Sequence, residues 1–366
     1  MTGSPMTDRE RFVACVLGEP VDRPPYWLFW GPWATTWERW TREGKPSAVT
    51  DHRSLFGPDQ PPLALPVNTG PCPRFDPVVF EETPEFVIHL DSWGIKRRDF
   101  RHRESMSEFL EFPVLDWPTW EEFKRERLNP NDPARLAGDW RKLGAEWMNR
   151  GYPIQLGDFP DAGIFGPVRW LLGDEEGLVA FHTAPDLVHD IMNHMTTLYL
   201  TVFEQVVREI RVDVIHLWED MCFRSGPLIS PRHWMEFMGP HYRRIRRFAD
   251  EHGIPVVSVD TDGNPSMIAS HMVDCGVNLL FPMEVAADCD VNVWRAQRPT
   301  LALMGGIDKR VLARGRADID RELERIRPAI AQGRYIPDLD HLIPDDVSWT
   351  NYYYYASRLK DIVGAV

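Results

Sequence analysis

The chain has 366 residues, 43% of them hydrophobic and 26% charged, which supports a sizeable core and argues against disorder. Its 55 acidic against 41 basic residues give a net charge of −14, which argues against nucleic acid or an anionic membrane as the main partner. No apolar run reaches transmembrane length, the first residues lack a signal-peptide core, and five cysteines without a CxxC pair suit a reduced, cytoplasmic protein.

A single domain over residues 1–366 is expected, with 1–6 outside the ordered fold and 44–120 forming irregular insertions and a hairpin. Thr7 to Gly18 reads as a helix, with Thr7 or Asp8 as cap and Phe12, Val13, Val16 and Leu17 as its apolar stripe. Tyr26-Trp27-Leu28-Phe29-Trp30 is an aromatic run suited to a first buried strand. Gly44 to Pro77, rich in Pro, Gly, Asp and Asn, reads as a surface excursion with a hint of helix at Ala48 to Leu55. Phe86–Leu90 and Ile95–Phe100 flank Asp91-Ser92-Trp93-Gly94 as a β-hairpin. Pro118–Glu126 and Asp132–Asn149 read as helices.

The second half has a regular rhythm of strand and helix. Strands are predicted at Pro153–Gly157, Val214–Trp218, Pro255–Val259, Val277–Phe281, Leu301–Met304 and Tyr335–Ile336. Helices fall between them, the longest from Pro185 to Ile210, and a last helix runs from Trp349 to Val363. Alternation at this spacing implies a parallel sheet. With the strand near Tyr26 and one or two in the irregular region, about eight units result, as a (β/α)8 TIM barrel requires. An open doubly wound sheet is the alternative, but no G-x-G-x-x-G or P-loop follows any strand.

Five consecutive strands end in ionisable groups: Glu219 and Asp220, Asp260 and Asp262, Glu284, Asp308 and Lys309, and Asp340 and His341. Any one carboxylate has a bland explanation, since an Asp after a strand often caps the next helix. Five strand ends on one barrel face crowd like charges, which calls for a cation, shared protons or a basic substrate. One account is a divalent metal on Asp260, Asp262 and His341. The other is acid–base chemistry by His341, Asp260, Glu219 and Asp220. Trp27, Trp30, Arg97, Glu284, Asp308 and Lys309 are candidates for holding a substrate. Abundant tryptophan also serves simply as core and surface filler, and Arg97 suits a substrate carboxylate or phosphate.

Arg9-Glu10-Arg11-Phe12 with Val21-Asp22-Arg23-Pro24-Pro25 resembles the start of uroporphyrinogen decarboxylase-like proteins. So do Asp91-Ser92-Trp93-Gly94, Gly163 to Trp170, Thr183-Ala184-Pro185, Trp218-Glu219-Asp220 with Gly226 to Pro231, Asp260-Thr261-Asp262-Gly263, Gly305-Gly306-Ile307-Asp308 and Asp340-His341 with Pro344. The resemblance implies a (β/α)8 barrel. Decarboxylases of that family carry an arginine-rich segment after the first strand; Phe29 to Thr36 here has none, which speaks against haem-pathway decarboxylation. The corrinoid-linked methyltransferase branch binds zinc through His-x-Cys and a later Cys, and the matching positions here are Asp260-Thr261-Asp262 and His341. The resemblance thus implies methyl transfer or demethylation of a small methoxylated or hydroxylated substrate, with a divalent metal, zinc by resemblance, and methylcobalamin on a partner corrinoid protein. Decarboxylation of another small acid and a non-catalytic ligand-binding barrel are the alternatives. A homodimer is the base-rate expectation.

Overall fold

The computed structural model describes residues 5–101, 106–136 and 140–365; most of the 1–6 segment expected to lie outside the fold falls beyond them. Seven parallel strands form the central sheet in chain order: β1 (Leu63–Ala64), β2 (Ile154–Leu156), β3 (Val214–Trp218), β4 (Val256–Asp260), β5 (Leu279–Phe281), β6 (Ala302–Ile307) and β7 (Tyr335–Leu339). Each is joined to the next by helical crossovers or longer excursions, and the order never reverses, which excludes the doubly wound alternative. Within the described residues, no helix is long and apolar enough to cross a membrane.

The curled sheet buries both faces. Outward residues such as Ile215, Leu217, Val257, Val259, Leu280 and Leu303 pack in the large outer core with the helices. Inward residues alternate with them. Val214, Val256, Leu279, Phe281, Ala302, Met304 and Ile336 form a separate inner core with Phe12, Cys15, Val16 and Trp27. The helix Asp8–Leu17 therefore plugs the end where the strands begin. Thr7 and Glu10 form its capping box, and Gly18 ends it in the left-handed region at φ 70°. The Cys15 thiol reaches the Tyr335 carbonyl at 3.7 Å. Burying Phe12 and Val16 there is worth about 1.5–3 kcal/mol each.

Three expectations are corrected. Tyr26–Trp30 forms no strand ladder, so among the described residues the sheet has seven strands rather than eight. The Phe29 N–H is taken by an Asp338 carboxylate oxygen at 2.7 Å, and the Tyr26 N–H by Asp59 at 2.9 Å. A single parallel bridge, Pro32 to Ile343, is the nearest approach to pairing. Ala48–Leu55 is a run of turns, while the helix of the region is Ala34–Arg42. The expected hairpin does form, as the centre of a four-stranded antiparallel sheet with Val78–Glu82 and Glu108–Glu111 on its edges. Asp132–Asn149 is a 3-10 turn, Pro133–Arg135, and a helix, Trp140–Trp147; residues 137–139 lie outside the described set.

Candidate active site at the strand ends

The carboxyl ends of β3 to β7 bring the predicted acids to one face. Glu219, the first residue past β3, is fully buried and committed to structure. Its carboxylate accepts from the Ile164, Phe165 and Gly166 N–H groups at 2.6–3.3 Å and from the Tyr242 hydroxyl at 2.5 Å. These amides open the helix Phe165–Leu172, so Glu219 works as its N-terminal anion. Burial pushes its carboxyl up to about 7 against the pull of those donors.

Asp220 and Asp260 face the mouth. Asp220 has a left-handed backbone at φ 41°, uncommon outside glycine, and its side chain accepts weakly from the Asp262 N–H at 3.4 Å. Burial raises its carboxyl, with the Glu284 charge adding and Arg169 opposing. Asp260 ends β4 with no hydrogen bond from its side chain to any described residue. Burial first, then the charges of Asp220, Asp262 and Glu284, push it well above the ordinary carboxylate range. Asp262 is pushed up to about 8 by burial and by Asp220 and Glu284, with Lys309 pulling the other way. Asp220, Asp260 and Asp262, so placed, do not all ionise at neutral pH.

His341 stands opposite Asp262. Its Nε2 lies 3.6 Å from Asp262 Oδ2, and its ring stacks on Trp30 at 4.7 Å with 21° between planes. Burial, with the Lys309 ammonium nearby, holds its imidazole down to about 4. The pair is therefore a carboxylic acid and a neutral imidazole across neutral pH, the reverse of an ordinary ion pair. From His341 an aromatic wall runs inward: Trp30, then Phe29 edge-on at 5.1 Å, then Phe281 at 6.0 Å, then His216 stacked at 5.4 Å.

The other predicted residues divide. Glu284 accepts from the Gly263 N–H at 2.8 Å at the rim of the mouth. The Lys309 N–H bonds Asp340 at 3.0 Å, and its ammonium acts on both Asp262 and His341. Asp308 is held by both Arg310 nitrogens at 2.8 Å and caps the Arg310 N–H, the helix-cap role weighed for it. Arg97 sits in the antiparallel sheet, paired with Asp99 at 3.0 Å, and Trp27 packs on Phe12 in the inner core at 5.4 Å. Asp340 ties two loops together through the Val285 and Lys309 N–H groups.

His216 was missed. It is buried in the middle of β3, with Nδ1 3.0 Å from Ser258 Oγ, directly across the register. Burial pushes it down to about 4. Ser258 and Asp260 are two apart on β4, so His216 lies one layer below Asp260. The signal was present as period-two alternation: His216 shares its face with Val214, and Ser258 shares its face with Asp260.

Among the described residues, no three His, Cys, Asp or Glu side chains converge closely enough to enclose a metal ion. The nearby thiols of Cys222 and Cys289 are pushed up to about 12 by burial and hold their protons. The side chains as arranged do not fit a thiolate zinc centre.

An α/β protein with an acidic, aromatic-walled mouth at the carboxyl ends of a curled parallel sheet has the layout of a strand-end enzyme site. The comparisons narrow the class. The family model for uroporphyrinogen decarboxylase (URO-D) matches residues 174–360, just over half of the chain, and the chain belongs to that family. No curated protein matches. Among solved structures, a methyltransferase from Methanosarcina mazei superposes with a TM-score of 0.59 at 16% sequence identity, over 98% of this chain and 100% of that one. At that identity the likeness establishes the fold alone.

Proposed function

We propose that this protein is an enzyme that transfers or removes a methyl group on a small methoxylated or hydroxylated substrate, in an eight-unit barrel whose eighth position is the ladder-less segment Tyr26–Trp30. The observation that carries the reading is the Asp262–His341 pair over Trp30. A substrate ring or chain would lie against Trp30 and Phe29. Asp262, protonated up to about pH 8, would place its proton on the substrate oxygen from which the methyl departs, and His341 would fix that oxygen's orientation. Lys309 would offset the charge of the remaining carboxylates. A corrinoid on a partner protein would supply the nucleophile that takes the methyl. Phe29 to Thr36 holds no arginine, and Arg97, a candidate for holding a substrate, is paired with Asp99; both favour this reading over decarboxylation, and a methyltransferase shares the fold.

The test is anaerobic incubation with reduced free cobalamin and a panel of methoxylated aromatic and aliphatic compounds, reading methylcobalamin by absorbance. Turnover that disappears in Asp262→Asn and falls in His341→Gln supports the reading. Turnover unchanged in both variants, or none with any compound, sinks it.

The mutual elevation of Asp220, Asp260 and Asp262 favours a second reading, a divalent cation held by Asp260, Asp262 and His341 after these side chains rotate together. Elemental analysis decides it: about one equivalent of metal per chain, lost in Asp262→Asn and His341→Ala, is the supporting result.

A further inference from the structure

At the opposite end of the sheet, where the strands begin, a cavity of about 360 Å³ opens between the end of the helix Asp8–Leu17 and the start of β7. Cys15, Gly18, Arg295, Gln332, Arg334 and Tyr335 line it. Its two arginines are unusual. Arg295 is buried, and its Nη1 and Nη2 donate to the carbonyls of Arg298, Pro299 and Leu301, while Nε, itself buried, bonds no described residue. Arg334 donates from Nη1 to the carbonyls of Val16 and Thr300, at 2.7 and 3.1 Å, and its Nε and Nη2 bond no described residue. Neither guanidinium forms an ion pair within the described residues. The one carboxylate lining the cavity, Glu19, is exposed and bonds to neither.

Two guanidiniums sharing a cavity without a local counter-charge repel, and burial, with the Arg334 charge adding to it, lowers the Arg295 pKa. The carbonyls account for the fixed ends of both side chains and leave their charge uncompensated. Arg334 is further held in the left-handed region, at φ 51° after Gly333 at 71°. Its guanidinium lies over Gly18, where a Cβ would sit 2.3 Å from Nε and push the side chain out of this position. The Nε–Nη2 edge is the fork that carboxylates and phosphates meet with two parallel hydrogen bonds.

We propose that this cavity binds a small oxyanion, a phosphate or carboxylate group, between Arg334 and Arg295. The site is independent of the reaction at the strand-end mouth. Its ligand would bridge the N-terminal helix to the last strand and fasten the inner core, so binding would raise thermal stability.

The experiment is isothermal titration of the full-length protein with inorganic phosphate and, in a second arm, with succinate, in a buffer free of both. Saturable binding of either at one equivalent, weakened about tenfold or more in Arg334→Gln, is expected. The arm that binds identifies the source of the oxyanion. Arg334→Lys keeps the charge and loses the fork; it is expected to bind more weakly than wild type, and it carries the test if Arg334→Gln does not fold by circular dichroism. No saturable binding in either arm overturns the proposal. So does equal affinity in the wild type and the arginine variant that folds.

Discussion

Asp262 and His341 face each other at 3.6 Å with their protonation preferences inverted, the carboxyl pushed up to about 8 and the imidazole held down to about 4. Burial is the first cause of both shifts, and Lys309 opposes the first while adding to the second. The pair stays uncharged in the interval between those values, in which a proton on Asp262 is available to a substrate.

The pH profile of turnover follows from that inversion. Activity is expected to hold from about 5 to 7.5 and to fall above about 8 as Asp262 loses its proton, with an acid limb near 4 as His341 gains one. The initial rate across that range checks it; a single limb near 6.5, where an ordinary histidine titrates, would count against the assignment. At pH 7, Asp262→Asn should lower kcat by about 10²- to 10³-fold.

Glu219 tests the division between structure and chemistry. Glu219→Ala leaves three helix N–H groups and the Tyr242 hydroxyl without an acceptor in a sealed site, and should cost at least about 3 kcal/mol in urea unfolding. Tyr242→Phe removes one donor and should cost about 1 kcal/mol. If Glu219→Ala instead kept full stability and lost activity, the carboxylate would belong to the reaction.

Stability should also depend on pH through Asp338. Burial raises its carboxyl from 3.8 to about 8, so the native state keeps a proton that the unfolded chain releases above about 4. Its contribution is greatest below that lower value and is lost as pH rises towards about 8. Melting temperature should therefore decline between pH 5 and 8, and Asp338→Asn, which can still accept from the Phe29 N–H, should flatten the decline. An unchanged slope in the variant would assign the effect to other carboxyls.

Gly305, at φ 96°, is a backbone requirement of β6. A Cβ there would lie 2.0 Å from the Pro282 carbonyl oxygen, a backbone atom with no freedom to move aside. Gly305→Ala should lose at least about 2 kcal/mol in chemical denaturation and disturb the adjoining strand end.

The sequence revealed elements whose own composition specifies them. The apolar run Val214–Trp218 and the final helix Trp349–Val363 were legible to the residue, because one is buried on both faces and the other is capped by Ser348. Tyr26–Trp30 has the same apolar signature and still forms no ladder. Asp59 and Asp338, distant in sequence, take its N–H groups, and no local pattern announces that. The edge strand Val78–Glu82 is exposed along its whole length and so lacked alternation. At the site, the acids could be found because each terminates an apolar run. Their separate roles could not, since Glu219 and Asp220 are adjacent yet one faces the Phe165 helix and the other the mouth. His216 escaped notice because a histidine inside a strand reads as core until the opposite strand supplies Ser258.

The contact between Cys15 and Tyr335 joins positions 320 residues apart. During synthesis the N-terminal helix leaves the ribosome long before the strands it must plug exist. Phe12 has Trp27 beside it from the start, but the rest of the inner core is supplied strand by strand, from Val214 to Ile336. Completion of the inner core is thus a closing event, which waits for Ile336 on β7.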